Sequence, residues 1–315
     1  MSINKSLDNK IIKANSHKIE LKNLDKVLYK PKYNEKITKE EVIDYYQEIS
    51  PLLLKYSKNR VLTLQRFPNG QAAKGFYQKK YSDYFPKWLS VTEIKLKEGS
   101  KQRELVLKNK ADLIYLVDQA SLSFHAWLSQ YNKINSPDRL IFDIDPPKEN
   151  FKLAKQAAKE LKEVLDNLNL KSFLMLTGKK GLHLLIPIKV DYNFDKTKDF
   201  AKKISQLLEK RNSSRYTSSV NKGREKKVYI DYLRNSYGQT AICPYSLRDT
   251  KKASIATPIT WKQLNNSNLK PDIYTIKDIE EIKTREDPWK YFNNYKADLR
   301  KAEKKLDILI KKENL

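Results

Sequence analysis

RLIFDIDPP, Arg139 to Pro147, decides how the rest of the chain is read. Side chains alternate across an extended backbone, so Leu140, Phe142 and Ile144 share one face while Ile141, Asp143 and Asp145 share the other. Two carboxylates on one face of an apolar strand are costly to desolvate, and they repel each other. One pKa must then rise unless a cation intervenes. Pro146 and Pro147 stop the strand pairing and leave its acidic end open in a loop. The pair also runs against the composition, since 63 Lys and Arg face 38 Asp and Glu, a formal charge of +25.

Downstream, Leu153, Ala157, Leu161, Leu165 and Leu168 form one stripe and predict a helix over 151–168. SFLMLT is a second strand, GKKG a turn and LHLLIPI a third strand. Phe200, Ile204, Leu207 and Leu208 mark another helix over 196–210. KVYIDYL is a further strand, in which Asp231 sits among apolar neighbours as Asp143 does. Strands interleaved with helices on this plan predict an α/β or α+β domain built on a mixed sheet. Upstream, T-K-E-E at Thr38–Glu41 is a capping box, and helical spacing runs through Val42, Tyr45, Tyr46 and Ile49 up to Pro51. RVLTLQRF reads as a strand, ELVLK and LIYLVD as strands or short buried runs, and LSFHAWLSQY as a helix. That places His125 in a helix core and Arg248, in PYSLR, on the surface. Residues 1–17 read as a loose basic tail, 18–295 as the main domain and 296–315 as a Lys-rich C-terminal helix.

The 39% hydrophobic content, with 19 Tyr, 10 Phe and 4 Trp, supports a folded chain. A +25 field concentrates polyanions, and nucleic acid is the commonest such partner, although a lysine-biased genome would also raise the count. With Cys243 alone, no intrachain disulfide and no cysteine-based zinc site exist. No apolar run approaches about 18 residues, and the N-terminus lacks a signal-peptide core. The expectation is a soluble cytoplasmic protein without a membrane segment.

Three carboxylates at strand ends, Asp143, Asp145 and Asp231, suit a hard divalent cation, Mg²⁺ or Mn²⁺. A D-x-D can equally form salt bridges with nearby lysines, and many glycosyltransferases hold a sugar nucleotide with one. TGKKGLH, Thr177 to His183, adds backbone N–H groups, a hydroxyl, two Lys and a His in one short loop, an anion nest fit for a triphosphate. A metal-dependent glycosyltransferase would not explain Asp231, this loop or the net charge. A non-catalytic DNA-end-binding protein would not need all of these groups intact, and a ligase proper needs a K-x-D-G site that this sequence lacks.

The order IFDIDPP, TGKKGLH, VYIDYLRN, AICPYSLRDT and TPITW resembles the polymerase domain of bacterial DNA ligase D, an end-joining branch of the archaeo-eukaryotic primase superfamily. NLDKVLY, TLQRFPNG, GFYQKK, FHAWLSQ, SPDRLIFD and DPWKYF fit the same family, so the resemblance covers about residues 19 to 292. It implies a primase-polymerase that adds nucleotides, preferentially ribonucleotides, to 3′ ends at gaps or breaks bearing a 5′-phosphate. The implied cofactors are two Mn²⁺ or Mg²⁺ ions on Asp143, Asp145 and Asp231. The implied partners are DNA, NTP or dNTP, Ku and a separate ATP-dependent ligase in a nucleoid-associated repair reaction. Thr177, in place of the family's usual Ser, matches a phosphate contact together with Lys180, and His183 closes that motif. His125, Arg248 and Arg224 match residues around the incoming nucleotide. Asn23, Lys26 and Lys39 correspond to the grip on the 5′-phosphate, and Phe76 and Tyr77 to aromatics against the template base, with plain core packing as their alternative. Gln65, where relatives often carry Lys, Arg234, where some carry Gln, and the long KPKYNEK segment (30–36) depart from the pattern. No ligase or nuclease module follows within the 315 residues, which implies a stand-alone polymerase domain.

Overall fold

The computed structural model describes residues 10–30, 36–96, 98–220 and 226–313. Arg224 and the centre of the 30–36 segment lie outside these residues, as do residues 1–9 of the predicted tail. The contacts divide the chain into two compact units that interleave in sequence. The first unit comprises the described residues up to Ala126 with Ile242–Ile255 and Tyr274–Thr284. The second comprises Trp127–Ala241, Ala256–Ile273 and the described residues from Arg285 onward.

The second unit is built on the predicted mixed sheet. Its six strands lie in the order Tyr216–Thr217, Val228–Asp231, Arg139–Asp145, Leu182–Pro187, Phe173–Leu176 and Thr257–Ile259. Only the first of these pairings, Tyr216–Thr217 with Val228–Asp231, is parallel. Leu140, Phe142 and Ile144 are buried on one face of the central strand, as their alternation requires. Two helices, Phe151–Asn167 and Phe194–Arg211, cover the sheet with stripes that include Ala157, Leu161 and Leu165 on one and Phe200, Ile204 and Leu208 on the other. Each starts on an asparagine cap, Asn150 accepting from the Leu153 amide and Asn193 from the Lys196 amide. The DPWKYF segment is anchored by Trp289, whose indole N–H donates to the Leu174 carbonyl at 2.7 Å and whose ring stacks on Phe292. A basic helix, Leu299–Lys312, follows it.

In the first unit, strands Ser121–Trp127, Arg60–Arg66, Lys101–Leu107 and Val91–Lys95 pair in that order, and Phe76–Gln78 also pairs with Arg60–Arg66. LSFHAWLSQY is therefore a strand over Ser121–Trp127, not a helix. It is buried along nearly its whole length, and its residues alternate, with Leu122, Phe124 and Ala126 on one face and Ser121, Ser123, His125 and Trp127 on the other. LIYLVD is the converse case and lies in the helix Lys110–Asp118. Its start is marked by a reciprocal capping box, Asn109 with Asp112, which the apolar run conceals. Residues 10–14, read as tail, pair with His17–Leu21 in a hairpin.

The predicted capping box at Thr38 and Glu41 is present, but its helix runs from Lys39 to Ser57, straight through Pro51. A proline there leaves the Gln47 carbonyl without its amide donor. The Ser50 hydroxyl donates to that carbonyl at 2.9 Å and makes up the loss.

Candidate active site

Strand register in the second unit assembles an acidic row. Asp143 lies directly opposite Asp231 on one neighbouring strand and opposite His183 on the other. Asp145, two residues further along the same strand, points to the same face and lies opposite Tyr229. The three predicted acids thus share one sheet face. Like charges directly opposite one another destabilise an antiparallel pair, so the row needs compensating donors. His183 Nε2 lies 3.3 Å from Asp143 Oδ1, and Arg234 Nε lies 3.4 Å from Asp143 Oδ2 and 3.8 Å from Asp231 Oδ2. The Leu233 amide donates to Asp231 Oδ1 at 2.7 Å, and the Tyr229 hydroxyl donates to the same oxygen at 3.3 Å.

These neighbours split the two acids electrostatically. Burial alone would push the Asp143 carboxyl up, but His183 and then Arg234 outweigh it and hold the group down at about 2. Asp231 is raised, first by burial and next by the negative charge of Asp143. The row therefore attracts positive charge, with one acid firmly ionised and the other eager for a cation.

Sequence reading missed what holds the turn after Asp231. Asn235 is fully buried; its carboxamide accepts from the Ile141 amide at 2.9 Å and donates to the Ile141 carbonyl at 2.7 Å. One side chain thus continues the ladder where the strand Val228–Asp231 stops, and it fixes the backbone that carries Arg234. VYIDYLRN contains this residue, but only strand register reveals that it faces Ile141.

The TGKKGLH loop closes against the acid strand. A Cβ on Gly181 would lie 2.2 Å from the Ile144 carbonyl oxygen, so glycine is required by space at that point, between the two acids of D-x-D. Gly178 takes the left-handed φ of +72° and donates its amide to the Pro271 carbonyl. The Thr177 hydroxyl donates to the Gly181 carbonyl at 3.1 Å and accepts from the amides of Gly181 and Lys179. The expected anion nest is thus closed on itself at these amides, because the hydroxyl that was to face a phosphate ties the loop together. Lys180 stands exposed on it.

Donor chemistry fits a hard divalent cation: three carboxylates share one sheet face on two adjacent strands, and carboxylate oxygen is the ligand such ions prefer. Among the described residues, however, no three His, Cys, Asp or Glu side chains are yet gathered tightly enough to hold a metal ion. Asp143 and Asp231 are instead engaged by His183, Arg234 and the Leu233 amide.

The first unit carries the remaining candidates. His125 lies opposite Thr63 in the sheet, and its ring meets Tyr77 edge-on at 6.0 Å. Arg248, expected at the surface, is buried. Its backbone is held by the Tyr29 hydroxyl and the Ser254 carbonyl. Gln65 donates to Asp249 at 3.1 Å. Phe76 and Tyr77 are 46% and 62% exposed, which rules out the core-packing alternative. Arg66 lies over the Phe76 ring at 5.5 Å and is itself fixed by Gln78 and Tyr84. Asn23, at φ +54°, and Lys26 are exposed on one turn. Lys39 is buried with its ammonium 2.7 Å from Asp118 and donating to the Lys22 carbonyl. It begins one helix and Asp118 ends another, positions where the macrodipoles disfavour their charges, so the pair relieves both.

Known proteins are similar to this chain along most of its length. The family described as LigD, primase-polymerase domain, matches residues 38–289. The bifunctional non-homologous end joining protein LigD of Bacillus subtilis is 33% identical over 283 residues, covering 89% of this chain and 44% of that protein. The multifunctional homologue of Mycolicibacterium smegmatis is 30% identical over 80% of this chain and 33% of its own length. The chain therefore spans less than half of these curated relatives. The solved polymerase domain of Mycobacterium tuberculosis ligase D, in complex with DNA, superposes with a TM-score of 0.80 at 26% identity, covering 89% of this chain and 99% of that one. With the family matched along most of its length and the acidic row in register, the chain belongs to the LigD primase-polymerase domain family.

Proposed function

We propose that the chain is a template-directed nucleotidyltransferase that extends a 3′ end across a short gap or break carrying a 5′-phosphate, in non-homologous end joining. The observation that carries this reading is the row of Asp143 opposite Asp231, with Asp145 next on the same face. Divalent cations bound there, Mn²⁺ or Mg²⁺, would lower the pKa of the primer 3′-hydroxyl and neutralise the triphosphate. The chain's own part is to hold three carboxylates at fixed spacing on a rigid sheet. Lys180, one residue from the Gly181 contact with the acid strand, offers an exposed ammonium to phosphate oxygens.

By family resemblance, His125, Arg248 and Arg224 flank the incoming nucleotide, and Thr177 and His183 shape the phosphate loop. Exposed Phe76 and Tyr77 stack on the template, a contribution of ~1–3 kcal/mol per base. Asn23 and Lys26 take the 5′-phosphate, with Lys39 supporting their turn through Asp118. Ribonucleotide preference, Ku and a separate ATP-dependent ligase as partners, and action at the nucleoid in the cytoplasm complete the proposal. Among the described residues, no helix is long and apolar enough to cross a membrane.

An incorporation assay on a one-nucleotide gap, with and without the 5′-phosphate and with rNTPs against dNTPs, tests it. Incorporation should need the phosphate, favour rNTPs and vanish in the Asp143→Ala plus Asp145→Ala variant, which still binds DNA. Undiminished incorporation by that variant removes the metal assignment.

A further inference from the structure

Arg234 is the cation that bridges the acid pair, and its placement is not incidental. Its backbone sits in the short helical turn Leu233–Asn235, immediately after Asp231, and Asn235 locks that turn to Ile141 through two buried hydrogen bonds. The guanidinium is thereby delivered to one oxygen of each opposed acid, Asp143 Oδ2 and Asp231 Oδ2. A divalent ion shared by these residues would use oxygens from the same pair. Guanidinium does not lose its proton, so its charge cannot be titrated away and must be moved. The side chain is 42% exposed, which leaves it a route into solvent.

We propose that Arg234 is a tethered cation that holds Asp143 and Asp231 together before metal loading and swings out when a divalent ion takes their oxygens, so that it sets the metal concentration at which the site fills. This inference rests on the reading of the acids as a metal site. In the metal-free chain the arginine offsets repulsion between carboxylates that strand register forces face to face. In the loaded chain the ion does that work better, and a guanidinium left in place would repel it. The residue is thus a positioning and selectivity group rather than a catalytic one.

The test uses the full chain without DNA or nucleotide. Free Mn²⁺ is counted by electron paramagnetic resonance during titration of the wild type, Arg234→Gln and Arg234→Lys. The Asp143→Asn plus Asp145→Asn variant corrects for binding elsewhere. Arg234→Gln should bind Mn²⁺ about two- to fivefold more tightly than the wild type, the competition that one partly exposed ion pair can exert. Arg234→Lys should stay near the wild type. Melting adds a second readout: metal-free Arg234→Gln should melt below the wild type, and Mn²⁺ should raise its midpoint by more than it raises that of the wild type. An arginine with a merely structural role would lower both midpoints alike. Saturable binding by the wild type with equal or weaker affinity in Arg234→Gln overturns this inference alone. Absence of saturable binding in every variant overturns the metal site itself, and the inference with it.

Discussion

Gly181→Ala is the sharpest probe of how the phosphate loop and the acid strand are built together. The added methyl would meet the Ile144 carbonyl oxygen at 2.2 Å and its carbon at 3.2 Å, both backbone atoms that cannot rotate aside. Relief requires the loop to lift by roughly 1 Å, and overpacking of that kind costs about 1–3 kcal/mol. The lift also loosens the Thr177 amide and hydroxyl bonds to the Gly181 carbonyl, at about 1 kcal/mol each. It strains the Ile144–Leu182 end of the ladder as well. The sum is about 3–5 kcal/mol, or a melting midpoint lower by roughly 6–10 °C for a chain of this size. Lys180 moves with the loop, so the KM for nucleotide in the gap assay should rise as stability falls. Differential scanning calorimetry and the incorporation assay check both. Glycine-to-alanine replacement at an unstrained site stabilises by about 0.4–1 kcal/mol through the unfolded chain. A variant that melts at or above the wild type would refute the contact.

Three further outcomes follow from the same geometry. Lys39→Met strands Asp118 without its buried partner and should cost about 3–5 kcal/mol in urea denaturation; an unchanged midpoint would show that this ammonium is not structural. Asp143 has a folded pKa below its unfolded value, so its stabilising contribution is complete above about pH 4 and fades as pH falls towards about 2. The stability difference between wild type and Asp143→Asn should accordingly shrink across that window in acid titrations monitored by circular dichroism, and a difference that grows on acidification contradicts the assignment. Phe76→Ala with Tyr77→Ala removes two exposed rings, so melting should move little while affinity for a templating overhang, read by fluorescence anisotropy, falls at least about tenfold.

Local chemistry in the sequence determined more of this protein than its composition did. Alternation in RLIFDID placed the two acids on one face, and VYIDYL offered the third. The helix over 151–167 was legible from its 3.6-residue stripe, and that starting at Lys39 from its capping box. Period was misread at two elements. Lys110–Asp118 carries an unbroken apolar run, Leu113–Val117, so strand and helix present the same pattern and only the Asn109–Asp112 box marks the helix; Ser121–Trp127 does alternate, and reading it together with Leu128–Tyr131 hid that period. Pairing partners lay beyond reach altogether. That Asp143 faces Asp231 and His183, that Asn235 continues the sheet at Ile141, and that Lys39 is spent on Asp118 are consequences of register and of contacts between residues tens of positions apart. Such contacts are chosen by the free energy of closing the whole core, which no short window of residues contains. The identity of the acids is written locally, whereas the cation each one meets is a property of the folded chain.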